Sequence, residues 1–342
     1  MSVSTALTRR MILLMPLAAA ACRRGPDILE LSGTTMGTRY ALVAVDHDRK
    51  VDAPTVRAAV ETALARVNRQ LSNWDPNSEV SRFNTAQAGT AMPLSAEVHS
   101  VLAAAERIHG ASDGAFDVTL GPLIETWGFG AQPGAARSPN ADAIAASLAQ
   151  TGQDKLRLGA ASLSKTNSKT TVYTSGIGKG YGVDQVVEAL AALGLTDFMV
   201  EIGGDLYAAG RNPDGLPWRI GIETPNPHDR AVQRVADVSG LGVATSGDYR
   251  NYFEQDGVRY SHILDPRTGR PVTHRTASAT VLAPNAMLAD GWSTAMLALG
   301  RERGLAVADR ADLAVLFVER DTASQGGGFV ATPSRRYQEL QG

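Results

Sequence analysis

Cys22 is the only cysteine in this chain of 342 residues, so no disulfide can form within it, whatever compartment it reaches. A basic tract is also missing. Lys and Arg total 33 against 35 Asp and Glu, a formal net charge of -2, which gives no support for broad nucleic-acid binding. Any anionic ligand must therefore be met by local groups. None of the six histidines pairs with another at the spacing of zinc ligands. Internal repeats are absent, as is the G-x-x-x-x-G-K-[ST] spacing of a Walker loop. The one apolar run near the start, residues 11–21, is too short to span a bilayer as a helix.

What is present belongs to a soluble globular protein. A 44% hydrophobic share with 20% charged residues is enough for a substantial core, in one large domain or two ordinary ones. Before that core stands "MSVSTALTRRMILLMPLAAAAC", an arginine pair, an apolar stretch and small residues before Cys22, the anatomy of an export signal over residues 1–21. Small residues leading into Cys22 resemble a bacterial lipobox, which makes Cys22 a lipidated first residue. Cleavage after an Ala-x-Ala site, leaving a free thiol, is the alternative. Arg9 and Arg10 fit a twin-arginine signal or a plain basic n-region. Residues 22–30 then read as anchor and linker, and residues 31–342 as the folded part of the chain.

Periodicity organises the rest. Val56, Val60, Leu64, Val67 and Leu71 recur at helical spacing, and Val98, Leu102 and Ile108 predict a second helix. A further helix is expected over 141–150, with a hairpin turning at 165–169. "DFMVEI", "PWRIGIE", "RYSHIL", "ASATVLA" and "DLAVLFVE" read as strands. Strands interspersed with helices, without strict alternation, predict a mixed α+β fold with a largely antiparallel sheet.

Several stretches carry possible chemistry. "SGIGKGYGVDQVVEAL" surrounds Lys179 with Gly176, Gly178 and Gly180 and opens a helix, where backbone N–H groups attract phosphate; a tight turn with a solvated lysine is the plain alternative. In "NAMLADGWSTAMLALG", Leu288, Trp292, Ala295 and Leu299 mark a buried stripe, while Asp290 and Thr294 stand four apart on another face. A carboxylate beside a hydroxyl suits Mg²⁺, and an exposed Asp on a polar face suits nothing in particular. "MVEIGGDLYAAG" runs a strand into paired glycines before Asp205, a hairpin or room for a ligand. "YSHILDPRTGRPV" places His262 three residues before an Asp-Pro turn, and "GASDGAFDVTLGPLIETWGFG" mixes glycines and aromatics like a loop that lines something.

Together with "GTTMGTRY" and "LSNWDPNSEVSRFN", these stretches occur in the order seen in the FAD:protein FMN transferases of the ApbE type, which the chain resembles over nearly all of its exported length. The resemblance implies an enzyme on the periplasmic face of the cell membrane, often lipid-anchored. It would move FMN from FAD to a threonine or serine hydroxyl of an acceptor flavoprotein and release AMP. By position, Met36, Trp74, Ala115, Phe116, Asp117, Lys179 and Ile263 look like flavin-nucleotide contacts. Asp290 and Thr294, with the backbone carbonyl near Gly176, match Mg²⁺ ligands, and His262 matches the catalytic histidine. Tyr173 stands where the family has an Asp and is not carried over. Water in place of the hydroxyl gives the alternative, an FAD pyrophosphatase. A non-enzymatic flavin-binding lipoprotein is a third reading, which would not need a base and a metal pair.

Overall fold

Alternating burial begins at Asp27. Strand Asp27–Thr35 turns through Met36 and Gly37, at φ 48° and 71°, into strand Thr38–Asp46, the two-residue turn whose twist matches paired strands. Leu29 and Leu31 face inward, and Asp27 pairs with Asp46. The segment expected as linker up to residue 30 is therefore strand from Asp27 onward. The computed structural model describes residues 26–131, 137–226, 231–321 and 328–342. The expected export segment and Cys22 lie outside the described residues.

Eight strands form one sheet in chain order: Asp27–Thr35, Thr38–Asp46, Asp197–Ile202, Asp205–Ala209, Leu241–Gly247, Thr276–Ala283, Ala314–Asp321 and Gly328–Pro333. Every neighbouring pair is antiparallel, as the interspersed pattern predicts. Successive side chains take opposite faces. Leu42, Val200 and Ile202 join Val56, Val60, Leu64, Val183 and Val186 of two helices in one core, whereas Val43 and Met199 face another. That second core is closed by a hairpin of Trp218–Glu223 with Val232–Val238 and by Tyr337 of the last helix.

Three helices cover the first face. Ala53–Leu71 starts on an Asp52 cap that accepts from Thr55 N–H. Gly178–Ala192 follows the glycine loop, and Ala286–Arg310 starts on an Asn285 cap. The last is buried on nearly every side through Gly300, wider burial than its predicted stripe. It breaks at Gly300, where φ is 72°, and Arg301 N–H restarts it by donating to Thr276 Oγ1 at 2.9 Å.

One predicted turn is misplaced. The hairpin pairs Leu156–Leu158 with Ser162–Lys165, so it turns at 159–161 and not at 165–169. Lys165, which looked like a polar turn residue, is 1% exposed. Its Nζ donates to the Asn84 and Thr170 carbonyls at 2.8 and 2.9 Å, and burial pulls its pKa down.

The glycines after Lys179 have a packing reason. A methyl at Gly180 would overlap the Ala286 carbonyl and sit 2.8 Å from Asp290 Cβ, so only glycine lets these helices touch. Gly180→Ala should therefore cost about 1–3 kcal/mol. A urea midpoint equal to wild type with an unchanged slope would mean that the helices part freely.

Candidate active site

Because the two helices touch at Gly180, the residues one turn away on each are brought to a shared cavity of about 290 Å³. Ala115, Phe116, Asp117, Gly176, Lys179, His262, Ile263, Asp290 and Thr294 all line it. Met36 and Trp74 do not line it. Met36 packs over Gly182 on the glycine-loop helix. Trp74 is 64% exposed on a loop that the neighbouring Asn73 ties to the Val172 carbonyl at 2.8 Å and to Thr174 N–H at 3.2 Å.

The spacing of the two helices is fixed twice. Gly180 N–H donates to Asp290 Oδ2 at 3.0 Å, which uses a donor that the sequence offered to phosphate. Asp184, one turn along, accepts from Ala286 and Met287 N–H at 2.8 and 3.0 Å and so holds the first turn of the long helix. Burial pushes the Asp184 carboxyl up to about 6, against the downward pull of those two N–H groups.

Asp290 is 2% exposed, so it does not sit on a solvated polar face. Thr294 is the one residue from 289 to 300 that is not fully buried. Its Oγ1 donates to the Gly176 carbonyl at 3.3 Å and lies 3.3 Å from Ser246 Oγ. Asp290, Thr294 and Gly176 thus offer hard oxygens only, with a Thr294–Gly176 spacing near the ~2.9 Å between adjacent oxygens around an octahedral Mg²⁺. Lys179 Nζ bonds Asp205 Oδ2 and lies 3.7 Å from Asp290 Oδ1. Burial alone would lower the Lys179 pKa, but the charges of Asp205 and Asp290 outweigh it and hold the ammonium protonated. Burial and the Asp290 charge push the Asp205 carboxyl up to about 7, against the pull of Lys179, so two buried carboxylates compete for one ammonium and a second cation would relieve their repulsion. Among the described residues no group of three or more His, Cys, Asp or Glu converges. A single carboxylate completed by substrate phosphates is how Mg²⁺, unlike zinc, is usually held, so the donors fit that ion.

His262 lies between two hairpins. Strands Tyr252–Gln255 and Val258–Ser261 precede it, and Leu264–Asp265 with Arg270–Pro271 follow. The predicted single strand over "RYSHIL" is broken there, and the Asp265 turn does not touch the ring. Instead, the Asn251 carbonyl accepts from both His262 N–H, at 3.1 Å, and Nδ1, at 2.9 Å. A carbonyl only accepts, so Nδ1 carries the proton and Nε2 keeps its lone pair. Phe129 meets the ring edge-on at 6.3 Å and itself packs on Phe253, which stacks on Tyr260 at 5.1 Å. Behind the hairpin, Asp248 takes both Arg320 nitrogens at 2.9 and 2.6 Å. Burial and the Lys179 charge pull the His262 pKa below 6.5, and the Asn251 carbonyl and Asp248 only partly oppose this.

Asp205, Asp184, Asn251 and Ser246 were not assigned roles from the sequence; of these only Asp205, directly after paired glycines, carried a local signal. Tyr173 also lines the cavity, and its hydroxyl donates to Glu125. A carboxylate thus stands beside the position where the family has its own Asp.

With this geometry in hand, comparison places the chain. It belongs to the ApbE family, whose model matches residues 36–317. It is 42% identical to the FAD:protein FMN transferase of Vibrio cholerae over 88% of this chain and 90% of that one. It is 41% identical to the enzyme of the same name from Haemophilus influenzae over 95% of each. Among solved structures, the flavin transferase ApbE from Vibrio cholerae superposes with a TM-score of 0.85 at 39% identity, covering 92% of this chain and 99% of that one. The apo flavinyl transferase ApbE of Pseudomonas stutzeri gives 0.85 at 42% identity, covering 93% and 98%.

Burial of a neutral imidazole has a sign that can be measured. The folded state binds a proton at His262 less readily than the unfolded chain, so stability is lost as pH falls through 6.5 towards the folded pKa. An NMR titration should place the His262 midpoint below 6.5, and His262→Asn should flatten this part of the stability profile. A midpoint at or above 6.5 contradicts the buried, neutral base.

Proposed function

We propose that this chain transfers the FMN moiety of FAD to a threonine or serine hydroxyl of an acceptor protein, forming a phosphoester and releasing AMP. One observation carries the reading: a single cavity is lined both by His262 and by the oxygen donors Asp290, Thr294 and Gly176. A flavin-binding protein without chemistry would not need a neutral imidazole and these oxygen donors in one cavity. The curated relatives bear the name of this reaction.

Asp290 Oδ, Thr294 Oγ1 and the Gly176 carbonyl would hold Mg²⁺, which when bound polarises the pyrophosphate oxygens and offsets charge on the departing phosphate. Lys179, kept cationic by Asp205, adds a fixed positive charge on the same side. Phe116 and Ile263 offer apolar surface to the bound nucleotide. His262 Nε2 accepts the hydroxyl proton of the acceptor while its oxygen bonds to the FMN phosphorus. The bond from that phosphorus to the bridging oxygen breaks, and AMP departs with it. The neutral state of His262 suits a base working near neutral pH.

We also infer, from the small residues before Cys22, that the mature chain is lipid-anchored on the periplasmic face of the membrane. Cys22→Ser should then release it from membrane fractions, and an intact, unmodified Cys22 in purified protein removes the anchor without touching the enzymology.

His262→Asn keeps shape and polarity but lacks the basic nitrogen. FAD affinity, read by fluorescence, should stay near wild type while FMN attachment falls about 10²- to 10⁴-fold. Transfer within a few-fold of wild type would falsify the base assignment. Thr294→Val is the cleaner metal probe, because Asp290 is buried and its loss also loosens the helix contact. The Mg²⁺ concentration for half-maximal transfer should rise at least about tenfold, and chelator should abolish wild-type turnover. Undiminished transfer in EDTA rejects the metal.

A further inference from the structure

A larger cleft of about 520 Å³ adjoins the reaction cavity, and the chemistry above leaves it unused. The two share Gly203, Thr245, Gly247 and Arg250 as walls, so they meet at these residues. Asn251, whose carbonyl holds His262, directly follows Arg250 at this junction. Gly203 and Gly204 form the tight turn beneath it, at φ 58° and 100°, and present no side chain to block the way.

The far wall of the cleft is the strand Trp218–Glu223, which supplies Ile220, Gly221, Ile222 and Glu223 in unbroken succession. Alternate residues of a strand point to opposite faces. Four consecutive residues, a glycine among them, bring backbone as well as side chains to the cleft. This strand pairs with Val232–Val238 on one side and, among the described residues, with nothing on the other. Its outward N–H and C=O groups therefore face the cleft without backbone partners, a template on which another extended chain can pair. Arg39 lines the same cleft.

We propose that an extended segment of the acceptor protein docks in this cleft by adding a strand to the outer edge of Trp218–Glu223, and that the junction at Gly203 and Gly247 leads its hydroxyl to His262. This rests on the transferase reading above. Backbone pairing supplies the affinity, so acceptors can differ in sequence while entering in one register. The cleft meets the reaction cavity at Gly203 and Gly247, so a docked segment can present its hydroxyl there.

The test uses an acceptor protein that the wild-type chain flavinylates. In the stalled complex of His262→Asn with FAD and this acceptor, amide hydrogen exchange at alternate residues of 219–223 should slow at least about tenfold relative to FAD alone. A synthetic peptide spanning the modified hydroxyl, N-methylated at one position at a time, should lose transfer with a period of two residues, while FAD affinity stays unchanged. Normal transfer with no protection at 219–223 overturns the docking proposal and leaves the transferase reading standing. Protection of the same amides by FAD alone overturns it too, because the nucleotide then fills the cleft. Loss of transfer at every methylated position, or at none, rejects strand pairing. If the wild-type chain attaches FMN to no acceptor tried, including those of its close relatives, both readings fall together.

Discussion

The contact of Gly180 with the first turn of the long helix sets the geometry of everything around it. With no side chain in the way, the Gly180 N–H reaches Asp290, and the Gly176 carbonyl, one turn earlier, comes within reach of Thr294. Asp184 holds the same two helices together from the next turn. Oxygen donors from segments more than a hundred residues apart in sequence are thereby fixed by backbone packing, which is stiffer than any arrangement of flexible side chains. Lys179 then has no freedom to leave, since it lies between Asp205 and Asp290.

A second constraint acts on the imidazole. Asn251 decides which nitrogen carries the proton, the aromatic group of Phe129, Phe253 and Tyr260 limits the ring's rotation, and Asp248 ties the hairpin to Arg320 of the sheet. The ring is oriented by a carbonyl dipole and not by a carboxylate. A carboxylate partner would raise the pKa of the ring; the carbonyl fixes the tautomer while adding no full charge, and burial keeps the ring neutral.

The antiparallel α+β architecture was legible because its strands and helices carry clear periods, as at Val56 to Leu71. Much of the site was legible through motif order, since His262, Lys179, Asp290 and the 115–117 segment do line one cavity. Four features were not readable, each for a physical reason. Lys165 reads as a turn residue because its charge suggests solvent, yet carbonyls from two loops satisfy it inside. The face that Asp290 occupies could not be judged from the helix alone, because its burial comes from a second helix that a glycine admits. The glycine-rich loop suggests a phosphate cradle, but Gly180 is spent on helix contact and its N–H on Asp290. Tyr173, set aside as a departure, belongs to the wall because Glu125 reaches it from a different segment.

The break at Gly300 divides the long helix into two mechanical units. Hydrogen bonding is interrupted there, and the second segment starts afresh on Thr276 of the sheet. Fraying that begins at Arg310 must therefore stop at the break, because no continuous ladder carries it towards Asp290 and Thr294. The half that holds the oxygen donors is thus joined to the outer half by side-chain packing, through Val307 and Ala308 in the shared core, and not by a continuous backbone ladder.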